Sequence, residues 1–443
     1  MWDGFQPPHK SKLGITFILG DNMKNNIRFD LSDYLIHFFR DVDLQGNNYI
    51  HFPEYCGFNN LAHSNYLDAC FLLRCAIRHC KISASWSFRG GVRTIYGESP
   101  AVCFTDMPVS AFVKTSVDRL KMGENIGLYA LILPKTDIFN IGARPVIYGL
   151  DGFGSVLPSG AGGGKRIINT SLLPLNEQYR YVTYVPGYID WTHEREWRWP
   201  FRGHMDDYEA EIAEDGCHSD FNHTPGLELE YANLKGAGVI VPNNNDIKFI
   251  LNDLLTLIDR KVLSREAFTF IVSTENISSY TDIVNPASLS NYINSNLLDI
   301  DKFFNLPDSV INDYIRDVKN IISSELACYS PSNNSHVQEI GRAWVWLLDN
   351  KSDLTRALLE YGLVEVSKEG RYLLNLGYEV LNNLTLSQQE EFAQIVAKKL
   401  HAMYNVSCSY FSVLNSDFYD AIPSYAGFHD ETHEFFNSTL NVD

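Results

Sequence analysis

No pair of cysteines in this 443-residue chain stands at CxxC spacing, and no run of about 18 apolar residues occurs. The first absence argues against a structural zinc site built on closely paired thiolates. The second removes a membrane-spanning helix, and no stretch near the N-terminus has the apolar core of a secretion signal. Basic residues are also scarce: 36 Lys and Arg face 54 Asp and Glu, for a net charge of -18. Such a field opposes non-specific attraction to nucleic acid or anionic lipid, although a local basic channel can still exist within it. No repeat period is visible, which excludes a solenoid.

The eight cysteines are spread widely, as suits reduced, buried thiols in a cytoplasmic protein rather than a stapled secreted domain. In 70-CFLLRCAIRHC-80 the spacing of five reads as a helix using cysteine as a small hydrophobe, so no metal is expected. The glycine-rich 151-DGFGSVLPSGAGGGKR-166 has Ser159 where a phosphate-binding P-loop needs its first glycine, and Arg166 where it needs a hydroxyl. It therefore reads as a loop.

Length and punctuation divide the chain into an α+β domain over 1–275, a linker over 276–300 rich in Asn and Ser, and a mainly α-helical domain over 301–443. In the first domain the pattern predicts strands at 33–41, 101–105, 127–133 and 144–149, with helices at 64–82, N-capped by Ser64, and at 108–120. A strand–helix–strand unit follows over 237–242, 245–262 and 268–272. In the second domain helices are expected at 308–326, 335–350, 352–362 and 387–405, with a hairpin over 363–376. The C-terminal helices suit a regulatory partner or a homo-oligomer contact, or simply a second core.

The densest chemistry lies in 191-WTHEREWRWP-200. As a strand it sends Thr192, Glu194, Glu196 and Arg198 to one face and Trp191, His193, Arg195, Trp197 and Trp199 to the other. Two carboxylates on one face suit a reaction that breaks a glycosidic bond with oxocarbenium character. One stabilises the sugar cation while the other positions or deprotonates an acceptor. Taken alone, the same face is also a solvated Glu–Arg ladder.

The order of a first strand bearing His37 and Arg40, a helix, a strand ending in Thr105 before a second helix, and the late Glu-x-Glu resembles the ADP-ribosyltransferase-like superfamily. The segments 101-AVCFTDMPVSAF-112 and 191-WTHEREWR-198 also resemble bacterial defence-associated families that carry CFTxxP and WxxExEWR. The likeness spans roughly residues 30–200. It implies a mixed-sheet fold and NAD as the substrate, with ADP-ribose transferred to a macromolecular acceptor, protein or nucleic acid, in a toxin-like or anti-phage role.

Carried over residue by residue, Glu196 is the catalytic carboxylate and Glu194 the acceptor-side one, with Thr105 supporting the nicotinamide end. The first-strand role is shared among His37, Arg40, Arg89 and Arg93, with His37 preferred. Tyr96 is a stacking candidate, and Arg93 or Arg144 a pyrophosphate partner. An NAD glycohydrolase and a non-catalytic sensor remain alternatives on the same fold.

Overall fold

The computed structural model describes residues 31–43, 66–89, 92–124, 126–150, 165–205, 225–275, 300–331, 339–368, 370–421 and 423–426. The lead-in 1–30, Ser64, the glycine-rich 151–164, the acidic segment from 206 and the proposed linker over 276–299 lie outside these residues. No helix among the described residues is long and apolar enough to cross a membrane.

A seven-stranded mixed sheet organises residues 34–273. Its strands are β1 (Tyr34–Phe39), β2 (Ala101–Thr105), β3 (Tyr129–Pro134), β4 (Arg144–Pro145), β5 (Glu196–Pro200), β6 (Ala237–Val241) and β7 (Phe268–Ser273). They lie in the order β7-β6-β3-β1-β2-β5-β4. Among the described strands of this sheet only β6 and β7 pair in parallel, as the short strand–helix–strand crossover through α3 (Ile247–Asp259) requires.

Alternation along the strands supplies both faces of this sheet. Leu35, Val102, Phe104, Leu131, Leu133 and Val239 enter one core with α3 and with α1 (Ala69–Arg78). Ile36, Ala130, Ile132 and Ile240 meet Val109, Phe112 and Val113 of the helix α2 (Val109–Lys121) on the opposite side. Helix α1 begins after Asp68, whose carboxylate accepts from the Phe71 amide at 2.8 Å, so Asp68 and not Ser64 is its cap.

Beyond residue 300 the expected helices are joined by a sheet larger than the expected hairpin. Helices α4 (Asp308–Cys328), α5 (Asp353–Glu360) and α6 (Leu386–Tyr404) flank a five-stranded antiparallel sheet. Its strands are β8 (Gly341–Leu347), β9 (Val364–Val366), β10 (Tyr372–Leu374), β11 (Cys408–Leu414) and β12 (Pro423–Ala426), in the order β9-β10-β8-β11-β12.

The helix expected over 335–350 is replaced by β8 because both faces of that segment are buried. Ala343, Val345 and Leu347 join one cluster, while Trp344 and Trp346 join another. A strand apolar on both faces has no period-2 signature and looks like a buried helix in sequence.

The two parts meet through α3. Asp259 holds Arg356 through two bonds of 2.7 Å and accepts from the Tyr372 hydroxyl at 2.6 Å. The Asn350 amide donates to the Asn252 carbonyl at 3.0 Å. On another side of α3, Asp253 is paired with Arg74 and Arg78 of α1 at 2.7 and 2.9 Å.

Candidate functional site

β1 and β2 pair only at Ile36 opposite Thr105, so the two strands diverge beyond that point. The opening begins a cavity of about 560 Å³, lined among others by His37, Arg40, Tyr96, Cys103, Thr105, Arg119, Arg166, Trp191, Glu194, Glu196 and Arg198. Of the nine residues singled out from the sequence, His37, Arg40, Tyr96, Thr105, Glu194 and Glu196 therefore line one space.

Arg93 does not line it: its guanidinium lies 4.3 Å from the centre of the Trp86 ring. Arg144 is also elsewhere, stacked at 3.9 Å on Phe139 and donating to the Phe139 and Ala143 carbonyls. The Arg89 side chain lies outside the described ones.

The expected continuous Glu-x-Glu strand is not what forms. Thr192–Glu194 is a single 3-10 turn, Arg195 is left-handed at φ 47° and ψ 47°, and β5 starts only at Glu196. Local bonds favour the turn. The Asp190 carboxylate accepts from the Thr192 amide and hydroxyl, at 3.0 and 2.5 Å, a short-range alternative to a strand ladder. The Arg195 guanidinium donates to Asp106 at 2.5 Å, and the Asp106 amide donates to the Arg195 carbonyl at 3.2 Å.

Both carboxylates still reach the cavity, by different routes. Glu196 stands on the strand directly across from Thr105, while Trp197 and Trp199 turn to the core behind. Glu194 arrives from the turn.

Each carboxylate has its own arginine. The Arg198 guanidinium, 4% exposed, donates through Nε and Nη2 to the two oxygens of Glu196 at 2.7 and 3.1 Å. Its Nη1 donates to the Tyr179 and Tyr181 carbonyls, so the group that holds Glu196 is itself anchored. Arg119, from the last turn of α2, donates to Glu194 Oε1 at 2.9 Å and to Glu124 at 2.6 Å. His193 Nε2 lies 3.5 Å from the same Glu194 oxygen.

Thr105 is a clasp rather than a free hydroxyl. Its Oγ1 donates to the Glu194 carbonyl at 2.6 Å and accepts from the Met107 amide at 3.2 Å, which ties the turn to the end of β2. Tyr96 presents no open ring face for stacking: it is 1% exposed, Arg166 lies 4.1 Å over its ring and donates to its hydroxyl, and Tyr181 packs edge-on.

His37 donates from Nδ1 to the Cys103 carbonyl at 2.8 Å, the only role open to a ring nitrogen facing a carbonyl. Nε2 is left as an acceptor. Burial among Phe39 and Phe104 pushes its pKa down to about 4, with the Cys103 carbonyl opposing in part, so the ring is neutral at physiological pH. Burial pushes Tyr148, whose hydroxyl donates to the Trp191 carbonyl, up to about 12, with the Glu196 charge adding to it. Burial likewise raises the Cys103 thiol, seconded by Glu196, and carries Cys70 and Cys80 up to about 12, as suits packed rather than reactive thiols.

Several lining residues were not singled out from sequence. Ser83, Ser85 and Ser87 form a row of hydroxyls on the cavity wall, together with Thr94 and Thr183. The period-2 spacing of 83-SASWS-87 is a signal that could have found them. Arg119 and Arg166 had no such signal, because their place follows only from where α2 ends and where the chain returns after residue 164. Four arginines (Arg40, Arg119, Arg166, Arg198) against two glutamates give the wall an excess of positive charge within an acidic protein. Among the described residues no group of three or more His, Cys, Asp or Glu is placed to hold a metal ion.

Residues 304–438 match a family described as "Protein of unknown function (DUF4427)", a match confined to the C-terminal part and not reaching the cavity. No curated protein and no solved structure matches the chain.

Proposed function

We propose that the chain is an ADP-ribosyltransferase-like enzyme that takes NAD as substrate and transfers ADP-ribose to a macromolecule, in a toxin-like or defence role. The observation that carries this reading is the convergence of His37, Arg40, Thr105, Glu194 and Glu196 on one cavity walled by an excess of arginine. NAD carries a pyrophosphate, for which guanidinium groups supply fork-shaped donors. It also carries two riboses and an amide, for which the neutral imidazole and the hydroxyl row supply both donors and acceptors.

In this reading Glu196, held in place by both arms of Arg198, faces the ribose carbon from which nicotinamide leaves and stabilises the positive charge that grows there. Arg198 keeps the carboxylate oriented without a rearrangement during the reaction. Thr105 and the Asp106–Arg195 pair keep the turn in place, so that Glu194 stands on the acceptor side.

The test is incubation of the purified protein with adenine-labelled NAD, with and without cell lysate. Nicotinamide release with label entering protein, RNA or DNA is the expected result. Nicotinamide release with label only in free ADP-ribose would make the enzyme a glycohydrolase, and no release at all would refute the reading.

A further inference from the structure

We propose, resting on the donor reading above, that the acceptor group admitted to this cavity is an anionic oxygen, a phosphate monoester, and that Arg119 selects it. Glu194 Oε1 is already engaged by Arg119 at 2.9 Å, with His193 at 3.5 Å. A carboxylate with a guanidinium counter-ion is a weak partner for an incoming cation.

The other carboxylate of the wall, Glu196, is engaged by Arg198 on both oxygens. Arg166 donates to the Arg93 carbonyl and the Tyr96 hydroxyl, and among the described residues no carboxylate pairs with it. Next to Thr105, Asp106 is likewise engaged, by Arg195 at 2.5 Å and Lys135 at 3.3 Å. A cationic nucleophile entering here meets four arginines, with Glu196 engaged on both oxygens and Glu194 on one, whereas a phosphate dianion meets an excess of guanidinium charge.

The chemistry balances without a base. A phosphate oxygen lone pair forms the bond to C1′ of the nicotinamide ribose as the bond from C1′ to the pyridinium nitrogen breaks. The bonding pair goes to that nitrogen, and nicotinamide leaves neutral with no proton to be removed. An amine, alcohol or guanidine would instead have to lose a proton to Glu194, one oxygen of which Arg119 already engages.

The experiment offers the full-length protein labelled NAD with phenyl phosphate or agmatine as acceptor. Wild type is expected to label phenyl phosphate and not agmatine. In Arg119→Glu the ratio of the two products should fall by at least about tenfold, the worth of a charge-assisted hydrogen bond. Arg119→Gln, which keeps shape and a donor, serves in place of a variant that does not fold and should lower the ratio in the same direction.

Labelling of agmatine in preference to phenyl phosphate by wild type would overturn the proposal. Nicotinamide release with phenyl phosphate left unlabelled would also overturn it while leaving the donor reading intact. Calorimetry without NAD separates the two claims. Phenyl phosphate binding that weakens about tenfold in Arg119→Glu supports the site whatever becomes of NAD, and binding of agmatine with exclusion of phenyl phosphate overturns it.

Discussion

Thr105 shows how far a residue's role depends on what surrounds it. Its hydroxyl joins the Glu194 carbonyl to the Met107 amide, so that β2, the turn at 192–195 and the start of α2 meet at one oxygen. Thr105→Val keeps the shape and removes both bonds, leaving a buried amide and carbonyl unpaired. Urea titration should show a loss of about 1–3 kcal/mol.

His37 gives a pH-dependent counterpart. Its imidazole titrates at about 4 when folded and near 6.5 when not, so the unfolded chain binds the extra proton between those values. The stability it contributes is therefore fully present above about 6.5 and is lost as pH falls through about 4. Denaturation midpoints taken at intervals from pH 7 to pH 4 should fall more steeply in wild type than in His37→Gln.

At the scale of elements, the cavity depends on how β1 leaves β2, and a glycine outside the site takes part in holding β1. A Cβ added at Gly127, just before β3, would lie 1.5 Å from the Phe39 carbonyl oxygen, so Gly127→Ala must push the end of β1 aside. We expect it to destabilise the fold by about 1–3 kcal/mol, as overpacking does, and to weaken NAD binding by displacing the strand that carries His37; thermal melts and calorimetry read the two effects.

Much of this layer was legible in the sequence. The strand at 101–105 and the 237–272 crossover follow from apolar runs bounded by turn residues; the structure has the strands within a residue of the expected positions, and the helix two residues shorter at its start and three at its end. The turn at 192–195 was not legible, because beside the local Asp190–Thr192 bonds it is held by Asp106 and Thr105, about 90 residues earlier in the chain, which no pattern in WTHEREWRWP reveals. For β8 the obstacle was burial on both faces, which erases the alternation that marks a strand.

Across the whole molecule, α3 is the shared element. Its Asp253 faces α1 behind the large sheet, and its Asp259 and Asn252 face the C-terminal sheet. Asp259 and Arg356 are 2% and 4% exposed, so removing one partner leaves a buried charge without compensation. Asp259→Asn should cost about 3–5 kcal/mol, and hydrogen exchange should speed up together on β3 and β8. Faster exchange confined to β8 would mean that the two parts unfold separately.

The central claim is that Glu196 stabilises the sugar cation formed when NAD loses nicotinamide. Glu196→Gln keeps an oxygen for Arg198 but removes the charge, so it should fold with a stability loss of about 1–3 kcal/mol and release nicotinamide at least about a hundredfold more slowly. The direct measurement is nicotinamide release from NAD by wild type and Glu196→Gln, each first shown to be folded by circular dichroism. Release by wild type and its near disappearance in the variant is the predicted result; equal release by both, or none by wild type, would contradict the account.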